Sequence, residues 1–539
     1  MRAPSEIGRR AVTAGRVAAM MGRSGLWRPG PPHRVARQLA ALRRWGTLLG
    51  GTVVSAAGRD PGRVAVIDDD GELTYAELDA RTDRLAAALG TLGDPSRVAV
   101  LCRNHRGMVE TLVACSKRGA DLVLLNTGMS TAQLLAVLDG QGVEVLIADP
   151  EFAGFLDAVP DGVRVVTAHG PGNGLEELIA SAPGGGIEPP PRPGRTIVLS
   201  SGTTGPPKGA ARHSRPGMAP LASILSRIPY RVHERMLIEA PLFHTWGYAM
   251  LQTAISLRAT IVLRRRFDPE STLRAVESTA STALVAVPVM LQRVLELPAE
   301  TRRRYDLSSL RITAVSGSAL PGGLATAFMD AFGDILYNLY GSTEASWVTI
   351  ATPADLRATP DTAGTPPPGT RVAILDERGE PVPAGTTGRI FAANELPFAG
   401  YTGGETKETR DGMLSLGDLG HLDARGRLFV RGRDDDMIVS GGENVHAGAV
   451  EEAIALLPQV REVAVTGAPD PDFGQRPVAF VVVRPGGELD ADAVRAHVRD
   501  RMARYAVPRD VHFVEELPRN ATGKVVRGRL APAAQDDPA

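Results

Sequence analysis

Ser200-Ser201-Gly202-Thr203-Thr204-Gly205-Pro206-Pro207-Lys208-Gly209 place hydroxyls, glycines and one lysine directly after the apolar run Thr196-Ile197-Val198-Leu199. The run reads as a buried strand. Hydroxyls donate hydrogen bonds, glycines let backbone N–H groups turn toward one point, and the lysine adds charge. Together they form an anion cradle suited to a nucleotide polyphosphate. The common P-loop needs Gly-Lys followed by Ser or Thr, whereas Gly209 follows Lys208 here. A Gly/Ser/Thr-rich surface turn is the alternative. A second segment, Asn338-Leu339-Tyr340-Gly341-Ser342-Thr343-Glu344, follows the strand-like Asp334-Ile335-Leu336-Tyr337. Its residues can stack a base, bind a phosphate and hold Mg²⁺ through one carboxylate. A helix cap built from Ser or Thr and a nearby Glu is the alternative. A third runs from Ser415-Leu416-Gly417-Asp418 to Gly432-Arg433-Asp434-Asp435 and Ser440-Gly441-Gly442-Glu443-Asn444. An aspartate at a strand end accepts two ribose hydroxyls, and a solvated acidic linker is the alternative. The fourth, Pro518-Arg519-Asn520-Ala521-Thr522-Gly523-Lys524, is a turn presenting one lysine.

The chain has only four lysines: Lys117, Lys208, Lys407 and Lys524. Arginine supplies nearly all other positive charge. A lysine that survives this bias can mark a place where a compact ammonium is required and a planar guanidinium does not fit. Lys208 and Lys524 lie within the segments above. For Lys117 and Lys407 the expectation is chance survival. Net charge is −1 over 539 residues, so nothing points to nucleic acid. Cys102 and Cys115 cannot make a disulfide framework and suit a reducing compartment. No stretch has the length of a membrane span or the pattern of a secretory signal, so the expected location is cytoplasmic.

From about residue 62 strands and helices alternate. Val64–Ile67, Val98–Leu101, Leu122–Leu125 and Val143–Ile147 read as strands, with helices over 75–89, 107–117 and from Thr131. That alternation predicts a mainly parallel sheet flanked by helices. After Gly364-Thr365-Pro366-Pro367-Pro368-Gly369 the texture turns strand-rich. A last α/β segment carries a helix over 449–457, a strand over 478–483 and a helix over 490–504. The expected fold class is α/β: a large N-terminal domain of stacked α/β sheets with a strand-rich subdomain, and a small mobile C-terminal α+β domain. The expected divisions are 1–50, 51–434 and 435–539. Residues 1–50 are arginine-rich and almost free of acid. Val35, Leu39, Leu42, Trp45 and Leu49 fall near one helical face, with Arg37 and Arg44 opposite. The favoured expectation is an extension packed on the main domain or partly disordered. Peripheral membrane contact is the alternative.

In this order the four segments resemble the adenylate-forming superfamily of acyl-CoA synthetases, peptide-synthetase adenylation domains and luciferases, over residues 60 to 530. A nearer resemblance to bacterial fatty acid–CoA ligases rests on Pro241-Leu242-Phe243-His244-Thr245-Trp246-Gly247, Val287-Pro288-Val289-Met290-Leu291 and Ser440-Gly441-Gly442-Glu443-Asn444-Val445. The resemblance implies ATP, Mg²⁺ and coenzyme A, and activation of a medium- or long-chain fatty acid to acyl-AMP and then acyl-CoA. It implies that Ser200, Ser201, Gly202, Thr203, Thr204, Gly205 and Lys208 grip the ATP phosphates, and that Thr204 and Glu344 hold the metal. Asn338, Tyr340, Gly341, Gly317 and Ser318 surround adenine, and Thr343 contacts phosphate. Asp418 takes the ribose hydroxyls and Arg433 orients the ribose-phosphate. His244 gates the acyl pocket, where Tyr248 and Met250 join the lining. Gly441 and Gly442 line the pantetheine route, Asp435 is the hinge and Lys524 the mobile catalytic lysine. One departure is Leu416, where the family often has threonine. A monomer or homodimer fits the resemblance. The alternatives are transfer of the acyl group to a carrier protein and an inactive binding protein on the same fold. The presence of Lys208, Glu344, Asp418, Arg433 and Lys524 argues against the last.

Overall fold

The computed structural model describes residue 15 and residues 18–530, apart from 171, 200–207, 213–216, 397, 435–436, 441–442, 471–473 and 522. The chain forms two compact units. The first comprises residues up to 360 with 366–371 and 393–407; the second comprises 361–365, 372–392 and 408 onward. The boundary expected between 434 and 435 falls inside the second unit.

Fourteen strands in chain order build most of the first unit: β1 Val64–Asp68, β2 Gly71–Thr74, β3 Arg97–Leu101, β4 Asp121–Leu124, β5 Val145–Ala148, β6 Arg164–Thr167, β7 Thr196–Leu199, β8 Gly209–Arg212, β9 Arg235–Ile238, β10 Thr260–Leu263, β11 Ala283–Ala286, β12 Ile312–Val315, β13 Leu336–Ser342 and β14 Ser346–Ala351. One sheet has the order β14-β13-β12-β11-β9-β10-β1-β2. It is parallel except for the pairs β13–β14 and β1–β2. The other runs from strand Phe398–Tyr401 through β8-β7-β4-β3-β5-β6, parallel from β7 to β6. Central strands of both sheets are buried along their length, as continuous apolar runs of parallel strands should be. One core takes side chains from both sheets and from helices Tyr75–Thr91, Arg106–Arg118 and Thr245–Ser256. Helix ends follow local chemistry. Thr74 and Glu77 close a reciprocal capping box at the start of helix 75–91. Gly119, at φ +81°, ends helix 106–118 in a left-handed turn that suits glycine.

The second unit contains two five-stranded sheets. In the first, Arg371–Leu375, Gly388–Ala393, Met413–Leu422 and Thr409–Arg410 lie in that order, and Leu428–Arg433 pairs with Met413–Leu422. In the second, Glu443–His446, Met437–Ser440, Gly474–Val483 and Val460–Asp470 are neighbours, with Asp510–Phe513 joined to Gly474–Val483. Helices Ala447–Ala455 and Ala491–Arg499 cover it through Val450, Ile454, Val494 and Val498. The architecture is the expected one: a large N-terminal α/β region, a strand-rich part and a C-terminal α+β part.

Beyond a helical stretch over 18–24, the arginine-rich start and the residues after it carry the helices Pro32–Trp45 and Leu49–Arg59. The second belongs to the main domain, for Leu49, Val53 and Ala56 enter its core. The first buries no residue, and Leu39, expected beside Val35 and Leu42 on a packed face, is 61% exposed. A turn at Gly46 separates it from Leu49, so the expected single apolar stripe is broken between two helices. Among the described residues no helix is long and apolar enough to cross a membrane.

Lys117 corrects one expectation. It is fully buried, and its Nζ lies 2.6 Å from a carboxylate oxygen of Asp79, 2.6 Å from one of Asp83 and 3.0 Å from the Asp79 carbonyl. Asp79 and Asp83 are one turn apart, so both aim at one point. A compact ammonium fills that point and a planar guanidinium does not. Lys117→Met and Lys117→Arg are each expected to lower the melting temperature by about 5 °C or more, because either leaves two partly buried carboxylates without their shared partner. An Arg variant as stable as the parent in a thermal melt would show that the site accepts a guanidinium.

Candidate functional site

Parallel sheets bind ligands at their carboxyl ends, where adjacent strands send connections to opposite sides. In the first sheet β9 and β11 are such neighbours. From their ends emerge the 239–244 segment and Val287. From β12 comes Ser316-Gly317-Ser318, and β13 runs on through Tyr340. In the other sheet β3 and β5 are the neighbours, and β7 opens directly onto Ser200. The residues Ser200, Ser201, Gly202, Thr203, Thr204 and Gly205 lie outside the described residues, as do Asp435, Gly441 and Gly442.

Several expected residues lie in the first unit. His244 is the N-cap of helix Thr245–Ser256 and donates its N–H to the Pro241 carbonyl. The segment before it is tightly held. Buried Asn104, just past β3, donates to the carbonyls of Ile238 at 3.1 Å and Ala240 at 3.0 Å and accepts the Leu242 N–H at 2.9 Å. One side chain thus ties the end of one sheet to the 239–244 segment of the other. Gly247 allows the close return of the chain, since a Cβ there would stand 2.2 Å from the Pro241 carbonyl oxygen. Trp246 Nε1 donates to the Ala286 carbonyl at 3.0 Å. Gly317 adopts φ +96°, a conformation that favours glycine. Tyr248 is half-buried with its hydroxyl 3.0 Å from Thr196 Oγ1. Met250 is fully buried in the core, its sulfur accepting from Tyr230.

The 338–344 segment departs from the sequence expectation. It does not follow a strand; Asn338 to Ser342 are within β13, which pairs antiparallel with β14. No helix follows, so the helix-cap reading fails. Gly341 is required by packing: a Cβ there would lie 1.7 Å from the Ser346 carbonyl oxygen. Ser342 Oγ accepts the Ala345 N–H at 3.0 Å, closing a turn that carries Thr343 and Glu344. Glu344 is 7% exposed. Its Oε1 accepts the Tyr401 hydroxyl at 2.6 Å and lies 3.7 Å from Lys407 Nζ. Burial pushes this carboxyl up, but Lys407, the Tyr401 hydroxyl and hydrogen bonds from the turn outweigh it, so it is held below the usual carboxylate range. A single ionised carboxylate at a turn fits a magnesium ligand. Lys208 is half-exposed, ion-paired with Glu405, and lies 5.7 Å over the Tyr401 ring.

Sequence reasoning did not single out Tyr401, Glu405 or Lys407, which stand against Glu344 and Lys208; at Lys407 it expected chance survival. The rarity of lysine was the signal that could have found it. Asn104 carried no signal, because its role depends on which strands become neighbours.

In the second unit Asp418 sits within strand Met413–Leu422 rather than at a strand end, in register with Arg433 on Leu428–Arg433. The Arg433 guanidinium is 3.6 Å from the Asp418 carboxylate. Gly417 at φ +72° kinks the strand, and its carbonyl accepts the Asp434 N–H at 2.9 Å. Leu416 is fully buried, so the departure at that position fills core space. Lys524 is on a turn: Asn520 Oδ1 accepts the Lys524 N–H at 2.9 Å, and the Lys524 carbonyl accepts the Asn520 N–H at 2.9 Å. Arg519 braces it by donating to the Gly523 carbonyl at 2.6 Å and pairing with Glu462 at 2.6 Å.

Cys102, His105 and Asp149 also converge in the first unit, but their donors and acceptors are engaged. His105 Nδ1 accepts the Gly107 N–H, Nε2 bonds Asp149 at 2.7 Å, and Arg265 is 3.2 Å from Asp149. Burial pushes the Cys102 thiol well up, and its Sγ donates to the Ile147 carbonyl at 3.7 Å. This cluster is structural.

Against known proteins, the chain matches the AMP-binding enzyme family over residues 53–402 and the AMP-binding enzyme C-terminal domain over residues 449–524. It is 35% identical over 494 residues to a feruloyl-CoA synthase of an Amycolatopsis species, covering 89% of this chain and 98% of that protein. It is 33% identical over 485 residues to an indoleacetate–CoA ligase of Aromatoleum aromaticum, covering 87% and 94%. Among solved structures, an amide bond synthetase from Marinactinospora thermotolerans superposes with a TM-score of 0.79 at 30% identity, covering 89% of this chain and 98% of that one.

Asn104→Ala should raise hydrogen exchange at the Leu242 amide by about tenfold or more, because that buried N–H loses the Asn104 Oδ1 acceptor. Amides in helix Ala491–Arg499 of the other unit should be unaffected. Equal protection at Leu242 in parent and variant would show that Asn104 does not hold the segment.

Proposed function

The chain belongs to the AMP-binding enzyme family, and from that premise we propose that it is an ATP-dependent acid–CoA ligase. A carboxylate displaces pyrophosphate from ATP to give acyl-AMP, and the thiol of coenzyme A then displaces AMP. The observation that carries this reading is the near end-to-end alignment with two CoA-forming enzymes of a chain that keeps Lys208, Glu344, Asp418, Arg433 and Lys524 in the family's order.

The first step brings an anion to an anionic phosphorus. Two unit charges ~4 Å apart at an effective dielectric of ~20 repel by ~4 kcal/mol, enough to slow the step about a thousandfold. Lys524 supplies the compact cation that offsets this, a point-charge task that suits lysine. Lys208 meets the polyphosphate, and Thr204 with Glu344 would hold the magnesium. Magnesium supplies charge neutralisation for the departing pyrophosphate. Tyr340 lies against the base, with Asn338, Gly341, Gly317 and Ser318 around it, and Asp418 with Arg433 holds the ribose. His244 gates the acyl side, and Gly441-Gly442 lines the thiol route. Catalysis is positioning plus preorganised charge. Rotation of the C-terminal region about Asp435 would let one site serve both steps.

For the acid, the aryl and arylalkyl substrates in the names of the relatives favour a ring-bearing carboxylic acid over a medium- or long-chain fatty acid. Met250, expected to join the lining of the acyl pocket, is fully buried in the core. The amide bond synthetase likeness favours a second reading for the acceptor, an amine in place of the thiol.

Release of AMP and pyrophosphate across cinnamic, arylacetic and fatty acids, with coenzyme A, a simple amine or neither, tests these readings. Turnover with hydroxycinnamate or arylacetate at least tenfold above octanoate is expected, with coenzyme A as acceptor. ADP release, or no release with any acid, would remove the reading.

Lys524→Ala should depress acyl-AMP formation about a hundredfold or more and affect thioester formation from supplied acyl-AMP far less. Equal loss in both half-reactions would leave Lys524 a structural residue.

A further inference from the structure

Four charged side chains in the first unit form two ion pairs around one aromatic ring. Lys407 pairs with Glu344 and Lys208 pairs with Glu405, while Tyr401 gives its hydroxyl to Glu344 and its ring face to Lys208. The pairs link three elements. Glu344 is on the turn after β13, Lys208 immediately precedes β8, and Tyr401 ends the strand that pairs with β8 through Tyr401↔Ala210. Gln141 and Thr402 brace the last of these, with Gln141 Nε2 donating to Thr402 Oγ1 at 2.8 Å and the Thr402 N–H donating to the Gly209 carbonyl at 2.8 Å. Gly209 permits that approach, because a Cβ there would stand 2.7 Å from Thr402 Oγ1. The cluster is therefore fixed in place and carries two positive and two negative charges.

A cluster that is neutral by internal pairing is poised for exchange. If Glu344 ligates a divalent cation, the Lys407 ammonium loses its carboxylate at the point where a polyphosphate would have to lie. Compact ammonium suits this task because it can shift between a carboxylate and a phosphate oxygen without the fixed fork of a guanidinium. The retention of lysine at 407, in a chain with only four lysines, follows from that requirement.

Resting on the acid–CoA ligase reading, we infer that Lys407 is a second polyphosphate-binding cation, held on Glu344 until nucleotide arrives and selective for the β,γ-phosphate end over the α-phosphate. Tyr401 is a positioning residue, with its ring under Lys208 and its hydroxyl on Glu344, and Glu405 is the carboxylate that holds Lys208 until the polyphosphate takes its place. Selectivity follows from Glu344: the leaving pyrophosphate, not AMP, is the anion expected beside the metal ligand.

Calorimetric titration of the full chain with pyrophosphate, ATP and AMP, each with saturating Mg²⁺ and no carboxylic acid, tests the assignment without turnover. Lys407→Met should weaken pyrophosphate and ATP about tenfold or more while AMP stays within about twofold of the parent. Glu405→Gln removes the carboxylate that competes for Lys208 and should tighten pyrophosphate severalfold, again sparing AMP. Unchanged pyrophosphate binding in Lys407→Met, or AMP weakened in step with it, would overturn the assignment, and Glu405→Gln that leaves pyrophosphate unchanged or weaker would overturn the role given to Glu405. Should Lys407→Met fail to fold, as a thermal melt would reveal, Lys407→Gln, which keeps a polar head beside Glu344, is titrated in its place and decides on the same criteria. A parent protein that bound none of the three ligands would overturn the proposed function together with this inference. Parent binding with unaltered variants overturns the inference alone.

Discussion

A carboxylate removed from water must be met by a cation or by hydrogen-bond donors, and Glu344 is where that requirement organises the most structure. Its turn exists because Gly341 lets β13 and β14 approach within a distance no side chain would tolerate. Its charge is held by Tyr401 and Lys407, which are there because strand Phe398–Tyr401 adds to β8. β8 in turn follows the 200–207 segment after only Lys208. One buried charge thus draws together the end of one sheet, an added strand of the other, and the flank of the hydroxyl- and glycine-rich segment.

Much of the fold was legible because parallel strands write themselves plainly. Val98–Leu101, Thr196–Leu199 and the helices between them carry uninterrupted apolar runs and clear caps, so local chemistry and tertiary burial agree. The strand carrying Tyr340 was read too short. Asn338 and Gly341 are poor strand formers taken alone, and it is pairing with β14 that extends the strand through them. Asp418 was placed at a strand end for the same reason, since Gly417 looks like a terminator but acts as a kink inside a paired strand. In helix Pro32–Trp45, periodicity suggested a packed stripe, but periodicity cannot say which face another element covers. Leu39 is left outside.

Site residues followed a similar division. Those in short motifs could be named from residue type and spacing. Asn104, Tyr401 and Lys407 could not, since each acts across 57 to 138 residues of sequence on a partner that only topology selects: Leu242 from Asn104, Glu344 from Tyr401 and nearby from Lys407. The lysine bias shows how composition can carry positional information. At Lys117 the buried side chain sits between two carboxylates, a point-charge setting that a planar guanidinium does not fit.

The pairing of β1 with β10 has a consequence for how the chain is made. Val66 meets Ile261, so the first strand leaves the ribosome about 195 residues ahead of its parallel neighbour. At ~5–20 residues per second the β1–β2 hairpin waits roughly 10–40 s with its outer edge open. Phe398–Tyr401 closes on β8 after a comparable delay. Neither sheet of the first unit can be completed in order of synthesis, and the nascent chain must carry exposed strand edges through most of its translation.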